Sequence, residues 1–307
     1  MHPDISPGAF FLPSACQKFL MAQIFSDFVK SRDSRNPHYF VIGHPISHSL
    51  SPLMHNAALQ YYGMEASYHA VDVSPAELPA FISWCNKDAF LGCNITLPYK
   101  QQLFDVVDTR GEKAEEIGAI NTISKKNGEL TGNNTDVHGF LEPLTPVSEF
   151  IEDTDAIVFG TGGASAAVVQ GLRSLGIHKI YLVSRKPSIK QTGNHDIEYI
   201  GYSQWASLVD NVSIVVNTTP LGMHPHTDQS PVRDSEAHLL KGKICYDLVY
   251  NPLETVFLKQ AKPFAEKIIT GIDMLIHQGS RSFEIWTGKT FPIERIKTEL
   301  ISYFRSV

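Results

Sequence analysis

Residues 156–172, AIVFGTGGASAAVVQGL, run from an uninterrupted apolar stretch through a Gly-Thr-Gly-Gly turn into a small-residue helix pattern. An apolar run with no polar alternation is a strand buried on both faces, and such strands belong to parallel sheets whose crossovers are helices. This one segment restricts the chain to an α/β architecture of alternating strands and helices. The alternation recurs on both sides of it. YFVIG (39–43) predicts a strand, and after the turn HPISHSLSP a helix is expected from Pro52 to about Tyr62. Ser51 would be its N-cap, Pro52 its first residue and Gly63 its stop. YHAVDV (68–73) and AFLGCNI (89–95) predict strands around a helix near 75–86. A helix from about Pro98 to Val107, a strand at GAINTIS (118–124) and a hairpin at Asn127-Gly128 follow.

A second series holds AIVFG (156–160), a helix from about Ala164 to Leu175 stopped by Gly176, and strands at KIYLVS (179–184), VSIVVN (212–217) and KICYDLV (243–249), with helical stretches between. Gly271 opens a helix that reaches Gly288, and Pro292 begins the last one. Two α/β domains are expected, with a boundary near 136–150, where Pro143 and Pro146 sit in a polar stretch.

Composition narrows the function classes. Lys plus Arg number 26 against 32 Asp plus Glu, a formal net charge of −6, so no basic face for nucleic acid is expected. With no stretch of about 18 uninterrupted apolar residues, no membrane partner is expected either. Cys16, Cys85, Cys93 and Cys245 form no C-x-x-C pair and read as free thiols of a cytoplasmic protein. His44, His48 and His55 lie close together, but they span a turn with no nearby carboxylate, so no metal is expected. Pro13 breaks the apolar Ala9–Leu12 run and no Lys or Arg precedes it, unlike a secretory signal. Residues 19–29 fit a short amphipathic helix, and Met21 could equally be a translation start.

The glycine-rich turn carries the clearest chemistry. Gly160 suits the tight turn and Gly162 allows close approach of a pyrophosphate, with Thr161, Gly163 and Ala164 presenting N–H groups at the helix start. Ser165 stands at the third glycine position of the dinucleotide-binding pattern, where a small residue still permits close packing. At the end of the next strand, where a carboxylate would bind the ribose hydroxyls of NAD, the chain has Ser184-Arg185-Lys186. A guanidinium pairs with a 2′-phosphate that a carboxylate would repel, so NADP is favoured over NAD. In the first series, Ser49 and Ser51 place two hydroxyls on one turn, although capping alone justifies Ser51. Asn94, Thr96 and Lys100 follow a strand end, where open α/β sheets gather their ligands.

The ordered set S-x-S-P, N-x-T-x-P-x-K, G-A-x-N-T, N-T-D, G-x-G-G-A and M-L-x-x-Q, spread over residues 39–307, resembles the shikimate dehydrogenase family. The related quinate/shikimate dehydrogenases share much of it. The resemblance implies a two-domain α/β fold: an N-terminal substrate domain (38–137, completed by C-terminal helices at 272–307) and a Rossmann-like NADP-binding domain (138–271), after an N-terminal extension (1–37). It implies Lys100 and Asp136 as the catalytic pair and Ser49, Ser51 and Tyr250 for the substrate carboxylate. Thr96, Asn121 and Gln278 would bind the ring and its hydroxyls. Thr218, Met223 and Leu248 would lie near the nicotinamide, and Gly271 and Met274 where the last long helix crosses back. Hydride reduction of a ketone leaves an alkoxide that needs a positioned proton donor, which a lysine ammonium can be.

The implied activity is reversible NADPH-dependent reduction of 3-dehydroshikimate to shikimate, a step of chorismate and aromatic amino-acid biosynthesis, by a monomer or homodimer with a small-molecule substrate. Two alternatives stand beside it: a quinate/shikimate dehydrogenase using NAD or NADP, and a non-catalytic metabolite sensor, which would have no need of Lys100 and Asp136. The cofactor reading predicts that Arg185→Ala weakens NADP binding far more than NAD binding; fluorescence titration with both nucleotides checks it, and two unchanged affinities would place the 2′-phosphate contact elsewhere.

Overall fold

A computed structural model of the chain describes residues 22–31, 37–47, 49–187 and 196–306. Cys16, His48, Met21 and the Ala9–Leu12 run lie outside the described residues. The strands are β1 (Gln23–Ile24), β2 (His38–Gly43), β3 (Ser67–Asp72), β4 (Phe90–Ile95), β5 (Thr109–Arg110), β6 (Thr122–Lys126), β7 (Glu129–Asn133), β8 (Asp155–Phe159), β9 (Lys179–Ser184), β10 (Ile197–Gly201), β11 (Val212–Asn217), β12 (Ile244–Asp247) and β13 (Lys267–Ile269). The α-helices are α1 (Phe25–Ser31), α2 (Ser51–Tyr61), α3 (Leu78–Trp84), α4 (Glu112–Ile117), α5 (Asp136–Leu141), α6 (Ser148–Ile151), α7 (Gly163–Ser174), α8 (Val256–Ala261), α9 (Gly271–Thr287) and α10 (Ile293–Ser306).

The strands form two sheets, a mixed seven-stranded one in the order β1-β3-β2-β4-β6-β7-β5 and a parallel six-stranded one in the order β10-β9-β8-β11-β12-β13. Each is buried on both faces. Along β2, Phe40 and Ile42 enter one core while Tyr39 and Val41 enter the other. Along β8, Ile157 and Phe159 face one core and Ala156 and Val158 the opposite one. This two-sided burial is why the strands read as unbroken apolar runs.

Strand order also fixes where a ligand can sit. In the first sheet the chain passes from β2 to β3 on one side and then to β4 on the other; in the second, β8 has β9 on one side and β11 on the other. At each such reversal the loops leave in opposite directions and open a crevice at the carboxyl ends of the strands. Helix α9 ties the two halves together: Ile272, Ile276 and Phe283 enter the core with α2, whereas Met274 enters a core of the second sheet. Gly139 on α5 lets α9 come close, since a Cβ there would lie 2.7 Å from the Gln278 Cβ.

Several expectations are corrected. No continuous helix spans 98–107: the stretch is a series of turns, because the Lys100 carbonyl accepts from the Ile120 N–H while Tyr99 and Leu103 are drawn into the core. Leu50, rather than Ser51, occupies the N-cap position of α2. Ser51 is the first helical residue, and its N–H donates to the Ser49 Oγ at 3.3 Å. Within the expected boundary region at 136–150 the chain forms α5, a 3-10 helix over Glu142–Val147 and α6, with Leu144 and Ile151 fully buried. Residues 23–24 form a strand paired with β3 instead of helix, and Phe25 and Phe28 of α1 are buried in the first domain's core, so this part of the expected extension belongs to the domain. Strands β10 and β13 are additional; between β10 and β12 the described connections are 3-10 rather than α-helical. The expected hairpin at Asn127-Gly128 is present between β6 and β7, with φ of 54° and 87°.

The α2 core contains one titratable group that the fold holds neutral. His55 is 1% exposed, stacks on Tyr68 at 4.2 Å and has no hydrogen-bond partner on either ring nitrogen among the described residues; burial pushes its pKa down from 6.5 to about 3. The unfolded chain takes up this proton first, so the contribution is complete above the unfolded value and declines as pH falls toward 3. At about 1.4 kcal/mol per unit, the loss between pH 7 and pH 5 is about 2 kcal/mol. Urea unfolding of the wild type and of His55→Phe at both pH values checks this: the variant should lose about 2 kcal/mol less on acidification, and equal losses would acquit His55.

Candidate active site

The substrate-side crevice begins where β2 and β4 end. The Thr96 N–H donates to the Ile42 carbonyl at 2.9 Å and the His44 N–H to the Leu97 carbonyl at 3.1 Å, so the two strand ends are stitched together. From this base Thr96 lies against Gly43, and Tyr99 turns inward to donate its hydroxyl to the Val73 carbonyl. Lys100 is left facing the crevice side, where its Nζ donates to Asp136 Oδ2 at 2.6 Å, the two side chains being 22% and 15% exposed.

Asp136 is held from every direction as the first residue of α5. Its Oδ1 accepts from Asn121 Nδ2 at 2.8 Å, and its N–H donates to Asn134 Oδ1 at 3.1 Å. Asn121 is itself engaged: Nδ2 also donates to Thr135 Oγ1 at 2.9 Å, and Oδ1 accepts from the Thr135 N–H at 2.7 Å and Thr122 Oγ1 at 3.0 Å. Asn121 thus grips the carboxylate whose other oxygen holds Lys100. A pair this dry and this constrained keeps one orientation, and the ammonium retains donor capacity beyond Asp136.

Behind this pair lies a buried polar network that sequence reasoning missed. Ser282 on α9, fully buried, accepts from Asn94 Nδ2 at 2.8 Å, is 2.8 Å from Thr122 Oγ1 and 3.1 Å from Thr135 Oγ1, and donates to the Gln278 carbonyl at 3.1 Å. Asn94 also accepts from the Tyr68 hydroxyl at 2.7 Å, so it is an internal anchor and not a crevice-facing residue. Ser51 is 7% exposed. The available signal was the four-residue spacing of Gln278 and Ser282 on one helix face. Gln278 donates its Nε2 to the Leu275 carbonyl at 2.9 Å. Ser49 and Tyr250 meet in one cavity with Ser47, Leu50, Asn251, Tyr303 and Phe304, and burial pushes the Tyr250 phenol up.

The cofactor-side crevice is built at the ends of β8 and β11. Gly160 has φ of 110°, and a Cβ on it would come 2.5 Å from Thr218 Oγ1. Thr218 donates that hydroxyl to the Phe159 carbonyl at 2.8 Å, bracketing the turn. Gly162 caps α7 with no side-chain cap, and nothing lies within 4 Å of where its Cβ would be. Thr161, Gly162, Gly163 and Ala164 are all exposed, whereas Ser165 folds inward, its Oγ donating to the Gly162 carbonyl at 2.6 Å. Uncapped N–H groups beside an empty glycine surface fit a pyrophosphate. Arg185 and Lys186 are exposed beyond β9, with Ser184 Oγ accepting the Lys186 N–H at 3.2 Å.

Met223 is 46% exposed on the loop after β11, while Met274 is buried and a Cβ on Gly271 would collide with the Leu248 carbonyl. These last two therefore set helix packing against the strand-end loop. The loop after β4 and the glycine turn come close together: Leu97 Cδ2 lies 3.9 Å from the Cβ position of Gly163. His55 is in the core and His44 binds Asp72, so they do not converge. Among the described residues no group of three or more His, Cys, Asp or Glu is arranged for a metal ion. No helix among them is long and apolar enough to cross a membrane.

Comparison with known proteins adds the following. Residues 41–123 match the family model described as shikimate dehydrogenase substrate binding domain, and residues 271–301 that described as shikimate 5'-dehydrogenase C-terminal domain. A protein of Caldanaerobacter subterraneus subsp. tengcongensis named shikimate dehydrogenase (NADP(+)) is 36% identical over 280 residues, 87% of this chain and 99% of its own. A crystal structure of a shikimate dehydrogenase in complex with NADP+ aligns with a TM-score of 0.79 and 32% identity, covering 93% of this chain and 99% of that one. A quinate dehydrogenase from Corynebacterium glutamicum in complex with NAD aligns with a TM-score of 0.78 and 28% identity, covering 87% and 99%. Scores this close show that backbone shape does not discriminate the two substrates.

The turn geometry makes Gly160 sensitive to any side chain. Gly160→Ala combines an unfavourable φ with a collision at Thr218, and should destabilise the fold by about 1–3 kcal/mol; denaturant unfolding measures it, and a loss below about 0.5 kcal/mol would mean that the turn relaxes freely.

Proposed function

The chain belongs to the shikimate dehydrogenase family, and on that premise we propose that it reversibly reduces the ketone of 3-dehydroshikimate to the hydroxyl of shikimate with NADPH. The observation that carries this reading is the 2.6 Å Lys100–Asp136 pair, set at the strand ends opposite the open glycine turn. Bound NADPH supplies the hydride. Lys100 Nζ delivers the proton to the oxygen of the reduced carbonyl, and takes it back in shikimate oxidation. Asp136 holds that ammonium in line and accepts a hydrogen bond from a neighbouring substrate hydroxyl.

The substrate carboxylate is assigned to Ser49, Ser51 and Tyr250, a reading supported by the shared cavity of Ser49 and Tyr250. Thr96, Asn121 and Gln278 are assigned to the ring; Asn121 does so while fixing Asp136. Gly160, Thr161, Gly162, Gly163 and Ala164 would hold the pyrophosphate, and Ser184, Arg185 and Lys186 the 2′-phosphate. No carboxylate stands at the end of β9, which supports NADP over NAD. Thr218, Leu248, Gly271 and Met274 shape the nicotinamide side from beneath. The substrate domain is taken as 38–137 with 272–307 and the nucleotide domain as 138–271, with residues 22–31 joined to the first. All these groups come from one chain, which suits a monomer or a homodimer, and the buried free thiols Cys85, Cys93 and Cys245 suit the cytoplasm.

Initial rates of shikimate and quinate oxidation, each with NADP and NAD, test the assignment. Shikimate with NADP should dominate; comparable quinate rates would move the chain to the dual-substrate relatives, and binding without turnover would make it a sensor. In the same assay Lys100→Ala should lower kcat by about two to four orders of magnitude with circular dichroism unchanged. A loss below about threefold would remove Lys100 from the chemistry.

A further inference from the structure

At the end of β12, Asp247 is fully buried, and its register partner Asn217, fully buried too, ends β11. Asp247 Oδ1 accepts from Asn217 Nδ2 at 2.9 Å and from the Val249 N–H at 3.0 Å, and Oδ2 accepts from Thr255 Oγ1 at 2.5 Å. Asn217 relays this outward: its Oδ1 accepts from the Thr219 N–H at 3.0 Å and Thr219 Oγ1 at 2.6 Å, and its Nδ2 donates to the Leu221 carbonyl at 3.3 Å. The Leu248 N–H donates to the Asn217 carbonyl at 3.0 Å, and Thr255 caps α8 by accepting from the Leu258 N–H at 3.3 Å.

We propose that Asp247 is a positioning residue for the reaction, whose buried carboxylate locks the loop after β11 and the loop after β12 into one arrangement and so sets Tyr250 on the substrate side together with Thr218 and Leu248 on the cofactor side. The proposal rests on the dehydrogenase reading above. Its three donors are all neutral, and burial outweighs them, pushing the Asp247 carboxyl up to about 6. A buried carboxylate without a cation is a poor stabiliser, and a well-packed apolar pair of the same volume would serve the fold as well or better. What the carboxylate supplies is geometry, since it accepts from the loop after β12, from the N-cap of α8 and from Asn217, which in turn holds the loop after β11. Hydride transfer needs donor carbon, acceptor carbon and proton donor in register, and a displacement of about 1 Å costs about 100-fold in rate. Tyr250 lies three residues from Asp247, and Thr218 one residue from Asn217, so movement of the carboxylate reaches both walls at once.

Thr255→Val removes one hydroxyl donor at nearly constant volume, Thr255→Ser restores it, and Asp247→Asn changes the carboxylate itself. With the full chain, kcat and KM for shikimate and NADP, NADP binding by calorimetry and the melting temperature would be measured together. Thr255→Val and Asp247→Asn should each lower kcat/KM by about 10–100-fold and raise KM for both ligands, with Thr255→Ser within about threefold of wild type. A change confined to the melting temperature, or a serine variant as impaired as valine, would overturn the proposal; if Asp247→Asn does not fold, the threonine pair decides. Should the wild type not oxidise shikimate, the dehydrogenase reading fails separately: a tenfold weaker NADP affinity in Thr255→Val would still support Asp247, and an unchanged affinity, or no NADP binding by the wild type, would overturn it.

Discussion

Burial of both sheets on both faces is the constraint from which the rest of the structure follows. A strand packed on two sides carries its polar side chains mostly at its ends, because within the layer each unsatisfied polar group costs about 1–3 kcal/mol. The chemistry is therefore pushed to the carboxyl ends of β2, β4, β8, β11 and β12, where the chain turns out of the layers. The order reversals at β2/β4 and at β8/β11 then decide which of those ends stand beside an open crevice. Lys100 and Gly160 are on opposite sides of the site because each follows a strand at one of these reversals.

Beneath the strand ends, the polar groups that enter the interior are satisfied in chains, unlike His55 in the α2 core. Asn94, Thr122, Thr135 and Ser282 interlock, and the chain continues through Asn121 to Asp136 and Lys100. A fully connected network of this kind gives little net stability but allows few alternative arrangements. It anchors Lys100 from below through Asn121 and Asp136. Asp247 with Asn217 and Thr255 does the same for the nucleotide half. The two networks share a design in which an amide at a strand end reads a carboxylate and the carboxylate orders a loop.

Helix α9 makes the two halves one machine. It leaves the second sheet at Gly271, packed directly under the Leu248 carbonyl, passes Gln278 over Gly139 and delivers Ser282 into the first domain's network. A single helix thus touches the loop after β12, α5 and the polar network beneath Lys100 and Asp136. Its apolar face divides between two cores, which is why it cannot be assigned cleanly to either half by packing alone.

Much of this was legible in the residues themselves. Unbroken apolar runs revealed the central strands because two-sided burial leaves no alternation, and the glycine turn after β8 was visible because positive φ and close approach demand glycine. Lys100, Asp136 and Asn121 could be named from local motifs. Tertiary structure decided what local pattern could not: the turns at 98–107 replaced a helix because Ile120 captured the Lys100 carbonyl, and Asn94 turned inward because Tyr68 offered it a partner. β10 and β13 were too short or too polar to register, and α1 joined the core through Phe25 and Phe28 across a long sequence separation. Ser282 and Asp247 stayed hidden for the same reason. A hydroxyl or carboxylate reads as surface until distant segments fold over it and use its hydrogen bonds, and one chain's local order carries no record of which segments those will be.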